Sequence, residues 1–297
     1  MTKKLIIILS CIFVFSTIGF LISYSLRGDA KVLHTINVDK EDKVRIDNIK
    51  DINIDIVSAD LNIYLVDDDE VKVKYYGTSK CFLCSSSNSY NFDVNGDELK
   101  IETSTRSIGI FFYSRLNFDL YLPKQYNEKL FIKGVSSDII INDMNLKEFE
   151  VKTVSGEINL KNITVDNELK LKTTSGDMEL NSINANVFFD TISGDIEAEK
   201  IKGNFKGKST SGDIELEIKS NQFEIDIKTI SGEVDIDLQN DADFVFIVDT
   251  VSGDIDINFS YIVDSNKKHY KSGEVGEGIN SVNIITVSGD VIINKLY

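Results

Sequence analysis

The chain has 297 residues and a formal net charge of −16, with 48 Asp and Glu against 32 Lys and Arg, a single Pro and no Trp. That acidic balance excludes a nucleic-acid binder, which needs basic surface to meet phosphate, and adhesion to anionic lipid by charge alone. Two His and three Cys leave little material for metal or thiol chemistry.

Leu5 to Tyr24 is a run of about 20 uncharged, mainly apolar residues preceded by Lys3 and Lys4. Its length suits a membrane span, and the leading lysines set the N-terminus inside. Residues 1–26 therefore read as an uncleaved signal anchor, with the rest of the chain outside the membrane. A cleaved signal peptide is the alternative, with Ser23-Tyr24-Ser25 as a weak cleavage site. Residues 27–44 are polar and read as a linker.

From residue 45 a grid begins. Ile52, Ile54 and Ile56 alternate with polar residues, and Ser58-Ala59-Asp60 leads into Leu61 and Ile63. Val71 and Val73 belong to a further strand, and residues 76–125 read as a long antiparallel excursion with an Asn95-Gly96-Asp97 turn. That excursion carries Cys81 and Cys84. Outside the cell a disulfide between them is possible; zinc would need two more ligands, and a thioredoxin-like role would need a βαβ setting. Leu116 to Leu122 is a strand that ends at Pro123, which has no ladder donor.

The grid resumes at Leu130, with Ser137 in the place Ala59 held, and then settles into Thr-x-Ser-Gly-Asp/Glu followed by apolar-x-apolar. The Ser-Gly pairs are Ser155-Gly156, Ser175-Gly176, Ser193-Gly194, Ser211-Gly212, Ser231-Gly232, Ser252-Gly253 and Ser288-Gly289. Successive glycines are 18 to 21 residues apart, except for a last step of 36. Such a period signals stacked supersecondary units. Apolar residues fall seven and five before the glycine but two and four after it, as in Leu169, Leu171, Met178 and Leu180. One strand keeps its side chains at period two, so the chain must turn a corner at Ser-Gly-Asp, where glycine tolerates the angles. The prediction is all-β: a parallel β-solenoid over 45–297. The inward Thr and Ser are expected to form hydroxyl ladders along the stack. A β-sandwich of repeated hairpins is the competing fold. Ser272-Gly273-Glu274 fails the grid, so 260–280 reads as a loop or hairpin between the last two coils.

The repeated phrase, the Leu122-Pro123 strand end and the closing Val287-Ser288-Gly289-Asp290-Val291 resemble the bacterial β-strand-repeat family of unknown function labelled "putative adhesin". The resemblance covers about residues 45–297. It implies an extracytoplasmic β-solenoid, often behind an N-terminal membrane segment, with roles in surface attachment or envelope stress. It supplies no catalytic residues and no cofactor. Ala59, Ser137 and the Cys-x-x-Cys insertion depart from its pattern.

On the grid, outward residues after the corner are largely acidic and those before it often Lys. Stacked carboxylates at Asp177, Asp195, Asp213 and Asp254 could take calcium, although the Gly-Gly-x-Gly-x-Asp roll motif is absent. The bland alternative is a solvated face. Val154, Ile192, Ile230 and their equivalents also face out, as a propensity effect or as a docking strip. Neither His34 nor His269 has a sequence-supported nucleophile, and Ser-Gly-Asp is no nucleophile elbow. The expected function is a non-enzymatic structural or interaction module, adhesin-like, at a bacterial cell surface, with a surface polymer or membrane protein as partner. The alternative is an envelope-stress accessory that senses or restrains a membrane partner. A carbohydrate-active enzyme is a weaker third reading.

Overall fold

The computed structural model describes residues 10, 12–20, 33–46 and 48–296, with the side chains of 33, 34, 81–87 and 106–112 outside that description. Two parallel ladders run through the molecule, one on each side of the Ser-Gly-Asp corners. Before the corner the inward column is Ile54, Ile132, Val151, Leu171, Phe189, Gly207, Ile227, Ile284 and Val248, each in register with the next. After the corner it is Leu61, Ile139, Ile158, Met178, Ile196, Ile214, Val234, Val291 and Ile255. All of these pairings are parallel, as the change of side at the corner requires, so the coiled stack holds and the sandwich of hairpins does not. The apolar side chains of both columns are buried, each stabilising the stack by about 1.5–3 kcal/mol relative to exposure. Gly207 is the small member of its column because the Phe189 ring fills its space: a Cβ there would meet ring atoms at 2.6 Å.

The corners are in register too, with bridges Ser155 to Ser175, Ser175 to Ser193, Ser193 to Ser211 and Ser231 to Ser288. Backbones approach so closely here that the glycine owes its place chiefly to its neighbour. A Cβ on Gly176 would lie 2.1 Å from the Gly156 carbonyl oxygen, and one on Gly232 2.1 Å from that of Gly212.

A second corner, not anticipated from the sequence, lies six residues further on. Asp143, Asn162, Ser182 and Lys200 all have positive φ, 54° to 59°, which is uncommon for residues with a side chain. The inward side flips again after them, so Met144, Ile163, Ile183 and Ile201 are buried. These coils are therefore three-sided. The Gly212 and Gly232 coils lack the second bend: Ile218 and Leu238 simply continue the inward parity.

Both ends of the stack are covered by antiparallel segments. Strands Glu70–Asn95 and Glu98–Pro123 form one long hairpin, turning at Gly96. Its second strand pairs in parallel with Asp51–Ile56 through residues 98–102 and with Asp60–Val66 through residues 117–123, so it covers both sheets of the first coil. The segment expected to be a linker, 27–44, is from Leu33 a strand, Leu33–Arg45, pairing with the hairpin's outer edge. Ile36 and Val38, two residues apart, face the protein while the unbroken charged run Asp39 to Lys43 stays exposed, and that run is what made the segment read as a linker.

At the other end the coils leave chain order. The Gly289 coil sits between the Gly232 and Gly253 coils, and the Gly253 coil comes last. Strands Ile262–Lys267 and Tyr270–Val275 then form a hairpin, as expected of 260–280, and its second strand pairs antiparallel with Phe244–Ser252. Here His269 Nδ1 lies 3.1 Å from the Gly253 carbonyl oxygen, which in an inner coil would face the next corner. The Thr250 amide donates to the His269 carbonyl at 3.0 Å.

Residues 12–20 are helical, inside the predicted span 5–24. No helix among the described residues is long and apolar enough to cross a membrane. Residues 1–9, 11 and 21–32, the remainder of the predicted anchor and linker, lie outside the described residues.

Candidate interaction surface

The corner edge presents three columns, each aligned coil to coil. The first is the residue two before the corner glycine. In spatial order these are Val57, Val135, Val154, Thr174, Ile192, Thr210, Ile230, Val287 and Val251, all exposed, with Val57 36% and Val251 71% accessible. Seven of these nine are exposed Val or Ile, interrupted by Thr174 and Thr210, and an exposed apolar strip of this kind is a candidate contact surface.

The second column lies two residues earlier, on the sheet before the corner. Lys133, Lys152, Lys172, Asp190, Lys208 and Lys228 are successive partners. Asp190 holds Lys172 at 2.9 Å and Lys208 at 3.9 Å, while Lys152 pairs with Glu150 along its own strand. Lys133 and Lys228 have no carboxylate within 4.0 Å among the described residues.

The third column is the residue after the glycine: Asp60, Asp138, Glu157, Asp177, Asp195, Asp213, Glu233, Asp290 and Asp254 in spatial order. A corner acid at Ser-Gly-Asp suits acceptance of a nearby backbone amide, and the amide it takes belongs to the neighbouring coil. Asp138 Oδ1 accepts the Glu157 amide, Asp177 that of Asp195, Asp195 that of Asp213, Asp213 that of Glu233 and Asp290 that of Asp254, at 2.8 to 3.0 Å. One oxygen of each thus binds the next coil. Of the four residues considered for calcium, Asp177, Asp195 and Asp213 are consecutive, whereas Asp254 is separated from them by the Glu233 and Gly289 coils. Among the described residues, no group of three or more His, Cys, Asp or Glu is arranged to hold a metal.

The inward hydroxyls do not form the expected ladders. Thr191 Oγ1 donates to the Ser193 carbonyl, Ser209 Oγ to that of Ser211 and Thr229 Oγ1 to that of Ser231, each two residues on in its own coil. The bend brings that carbonyl closer than the next hydroxyl. Thr153, Thr173 and Thr286 bury Oγ1 without a partner among the described residues.

Beyond the corner edge, Glu197, Glu199, Glu215, Glu217, Asp235 and Asp237 line a shallow groove of about 130 Å³ on the sheet after the corner. Burial, and then Asp237 and Glu233, push the Asp235 carboxyl above its ordinary value, against the opposing hydrogen bond from Asn294. Sequence reasoning also missed an aromatic cluster at the N-terminal end, where Tyr64 and Tyr121 stack at 5.4 Å and Tyr76 donates to Asp119 at 3.1 Å; rings far apart in sequence gave no repeat to notice. Cys81 lies on the long hairpin opposite Phe112, but the side chains of Cys81 and Cys84, and with them a disulfide, lie outside the described ones, as does Cys11.

Several comparisons bear on this architecture. Two solved structures are similar: a putative cell adhesion protein from Clostridium sporogenes, 12% identical, covering 88% of this chain and 100% of that one with a TM-score of 0.29, and a putative adhesin from Parabacteroides distasonis, 14% identical, covering 86% and 97% with a TM-score of 0.28. No curated protein matches. The family model described as Toastrack DUF4097 matches residues 49–294, nearly the whole stack with its N-terminal hairpin, and the chain belongs to that Toastrack family.

Proposed function

We propose that the domain is a non-catalytic interaction scaffold at a bacterial cell surface, tethered by the apolar segment 5–24 with the stack outside the membrane. The observation that carries this reading is the corner edge: apolar, basic and acidic columns running in parallel register along one side of a rigid stack. Coils repeat about every 4.8 Å, so individually weak contacts to a repetitive partner add. The non-catalytic part rests on the recurrence of the carboxylate pairs coil after coil in the sequence. Calcium at Asp177, Asp195, Asp213 and Asp254 is not needed for this reading; a rise in Tm on adding millimolar calcium would bring it in.

The test is capture from intact cells with the full chain and with a chain lacking residues 1–26. Both are expected to recover the same surface component, and Lys replacements at Ile192 and Ile230 to lose it. Capture that requires residues 5–24 would replace this reading with that of an accessory acting on a membrane partner.

A further inference from the structure

The apolar ridge on the corner edge has opposite charge on its two sides. Lys152 and Lys228 lie on one flank, and Glu157 and Glu233, from the same two coils, on the other. The acidic flank is unbroken through all nine coils; the basic flank runs from the second coil to the seventh, interrupted by Asp190, and gives way to Asp55, Ile285 and Asp249 at its ends. We propose that this ridge is the contact surface of a homodimer, in which two copies pack ridge to ridge about a two-fold axis parallel to the solenoid axis.

The charge pattern selects both the occupant and its orientation. Half a turn about an axis along the stack keeps coil direction and exchanges the flanks. Each coil then faces the same coil of the second copy: Lys133, Lys152, Lys172, Lys208 and Lys228 stand opposite the second copy's Asp138, Glu157, Asp177, Asp213 and Glu233, while Asp55, Asp190 and Asp249 face acidic residues, so five coils are complementary and three opposed. The arrangement is self-complementary, as a two-fold contact must be. Turning one copy end over end would instead set lysine against lysine and carboxylate against carboxylate, which costs free energy. Among the described residues the carboxylates of Glu157 and Glu233 make no hydrogen bond or ion pair, only their amides being engaged, so both oxygens are open to a lysine across the contact. Nine coils give a ridge about 38 Å long. With roughly 15 Å of width including the flanks, two copies bury about 1,100 Å², near the lower limit for a specific interface. An interface of that size suits a reversible dimer. This pairing uses the same ridge as the scaffold reading, so a surface partner and a second copy compete for it; sedimentation of the purified chain fails or succeeds independently of capture from cells.

Sedimentation equilibrium of the full chain in detergent, from about 1 to 200 µM, is expected to show a monomer–dimer equilibrium. Lys152→Glu with Lys228→Glu should weaken it about tenfold or more, and so should Glu157→Lys with Glu233→Lys. Mixing the two variants should restore a heterodimer. In a chain carrying Cys11→Ser, Cys81→Ser and Cys84→Ser, Val135→Cys should crosslink to itself and not to Val287→Cys, which identifies the parallel arrangement. Thermal unfolding of each variant shows whether it is folded. Monomer throughout the range overturns the proposal. So does a dimer that survives Ile192→Lys with Ile230→Lys, or a crosslink between Val135→Cys and Val287→Cys.

Discussion

Replacing Gly212 with alanine tests the packing of the corners most directly. Its φ is +119°, and an added Cβ would stand 2.2 Å from the Gly194 carbonyl oxygen and 2.7 Å from its carbonyl carbon. Both atoms are backbone, so no side chain can swing aside. A normal contact requires the coils to part by roughly 1 Å. That stretches the Ser211 amide to Ile192 carbonyl bond, now 3.0 Å, and the Asp213 amide to Asp195 carboxylate bond, now 2.9 Å, beyond hydrogen-bonding range. Two lost bonds cost about 1 kcal/mol each, and the strained φ adds about 1–3 kcal/mol, for a total of about 3–5 kcal/mol. A domain holds about 5–15 kcal/mol in all, so the change consumes a large part of it. Gly96→Ala is the control: φ is +66° and nothing lies within 4 Å, leaving a backbone cost of about 1–2 kcal/mol. Urea unfolding of the full chain should show a much lower midpoint for Gly212→Ala than for Gly96→Ala. Amide exchange should quicken first in the Gly194 and Gly212 coils, because a stack transmits strain to its neighbours. Equal losses for the two alanines would refute the close-approach argument.

Asp195→Ala removes the acceptor of the Asp213 amide and should cost about 1–2 kcal/mol, whereas Asp195→Asn keeps a carbonyl acceptor and should recover most of it; thermal melts of the pair read the difference. Asp235 gives a pH signature. Its carboxyl pKa is higher in the folded chain than the ordinary 3.8, so the ionised form weakens the fold at neutral pH and stability is regained as pH falls through the folded pKa. Asp235→Asn keeps the bond from Asn294 and should raise Tm at pH 7, with the gain vanishing by about pH 4; an unchanged Tm at pH 7 contradicts this. Asp243 is the opposite case. Amides of Ile279, Glu277 and Gly278 hold its carboxyl below the ordinary value, so its contribution is present above that value and lost as pH falls through the folded pKa. Asp243→Ala should speed amide exchange at Glu277 and Ile279, which donate to it at 3.0 and 2.8 Å. Gly207→Val should fail to fold normally, or force Phe189 out of the core, visible as a loss of near-ultraviolet signal.

The inward and outward sets of every coil were legible in the sequence, because burial on a strand has period two and the Ser-Gly-Asp phrase marks where it slips. Leu160 and Ile163, an odd step apart, carried the same kind of signal for the second corner. It was harder to see because Asp143, Asn162, Ser182 and Lys200 share no residue type. They share only a backbone conformation, stacked in part through the Asn162 amide on Asp143 at 2.7 Å. The corner acid was visible as a repeated residue. Its role as an amide acceptor was legible as well, but not which amide, since the donor lies in the next coil, about 18 to 20 residues away.

What the sequence by itself determined is the coil around its first corner: the strands on either side of Ser-Gly-Asp, which side of them is apolar, and that copies stack in parallel. Only the tertiary structure decided the order of the stack. The Gly232, Gly253 and Gly289 phrases are alike, so each corner fits any of the others equally well, and local preference cannot rank the arrangements. The choice falls to contacts made once. The hairpin of residues 262–275 covers the Phe244–Ser252 edge, and Asp243 ties down the turn that returns the chain beneath it. With that edge closed, the last coil takes the remaining place between its two predecessors.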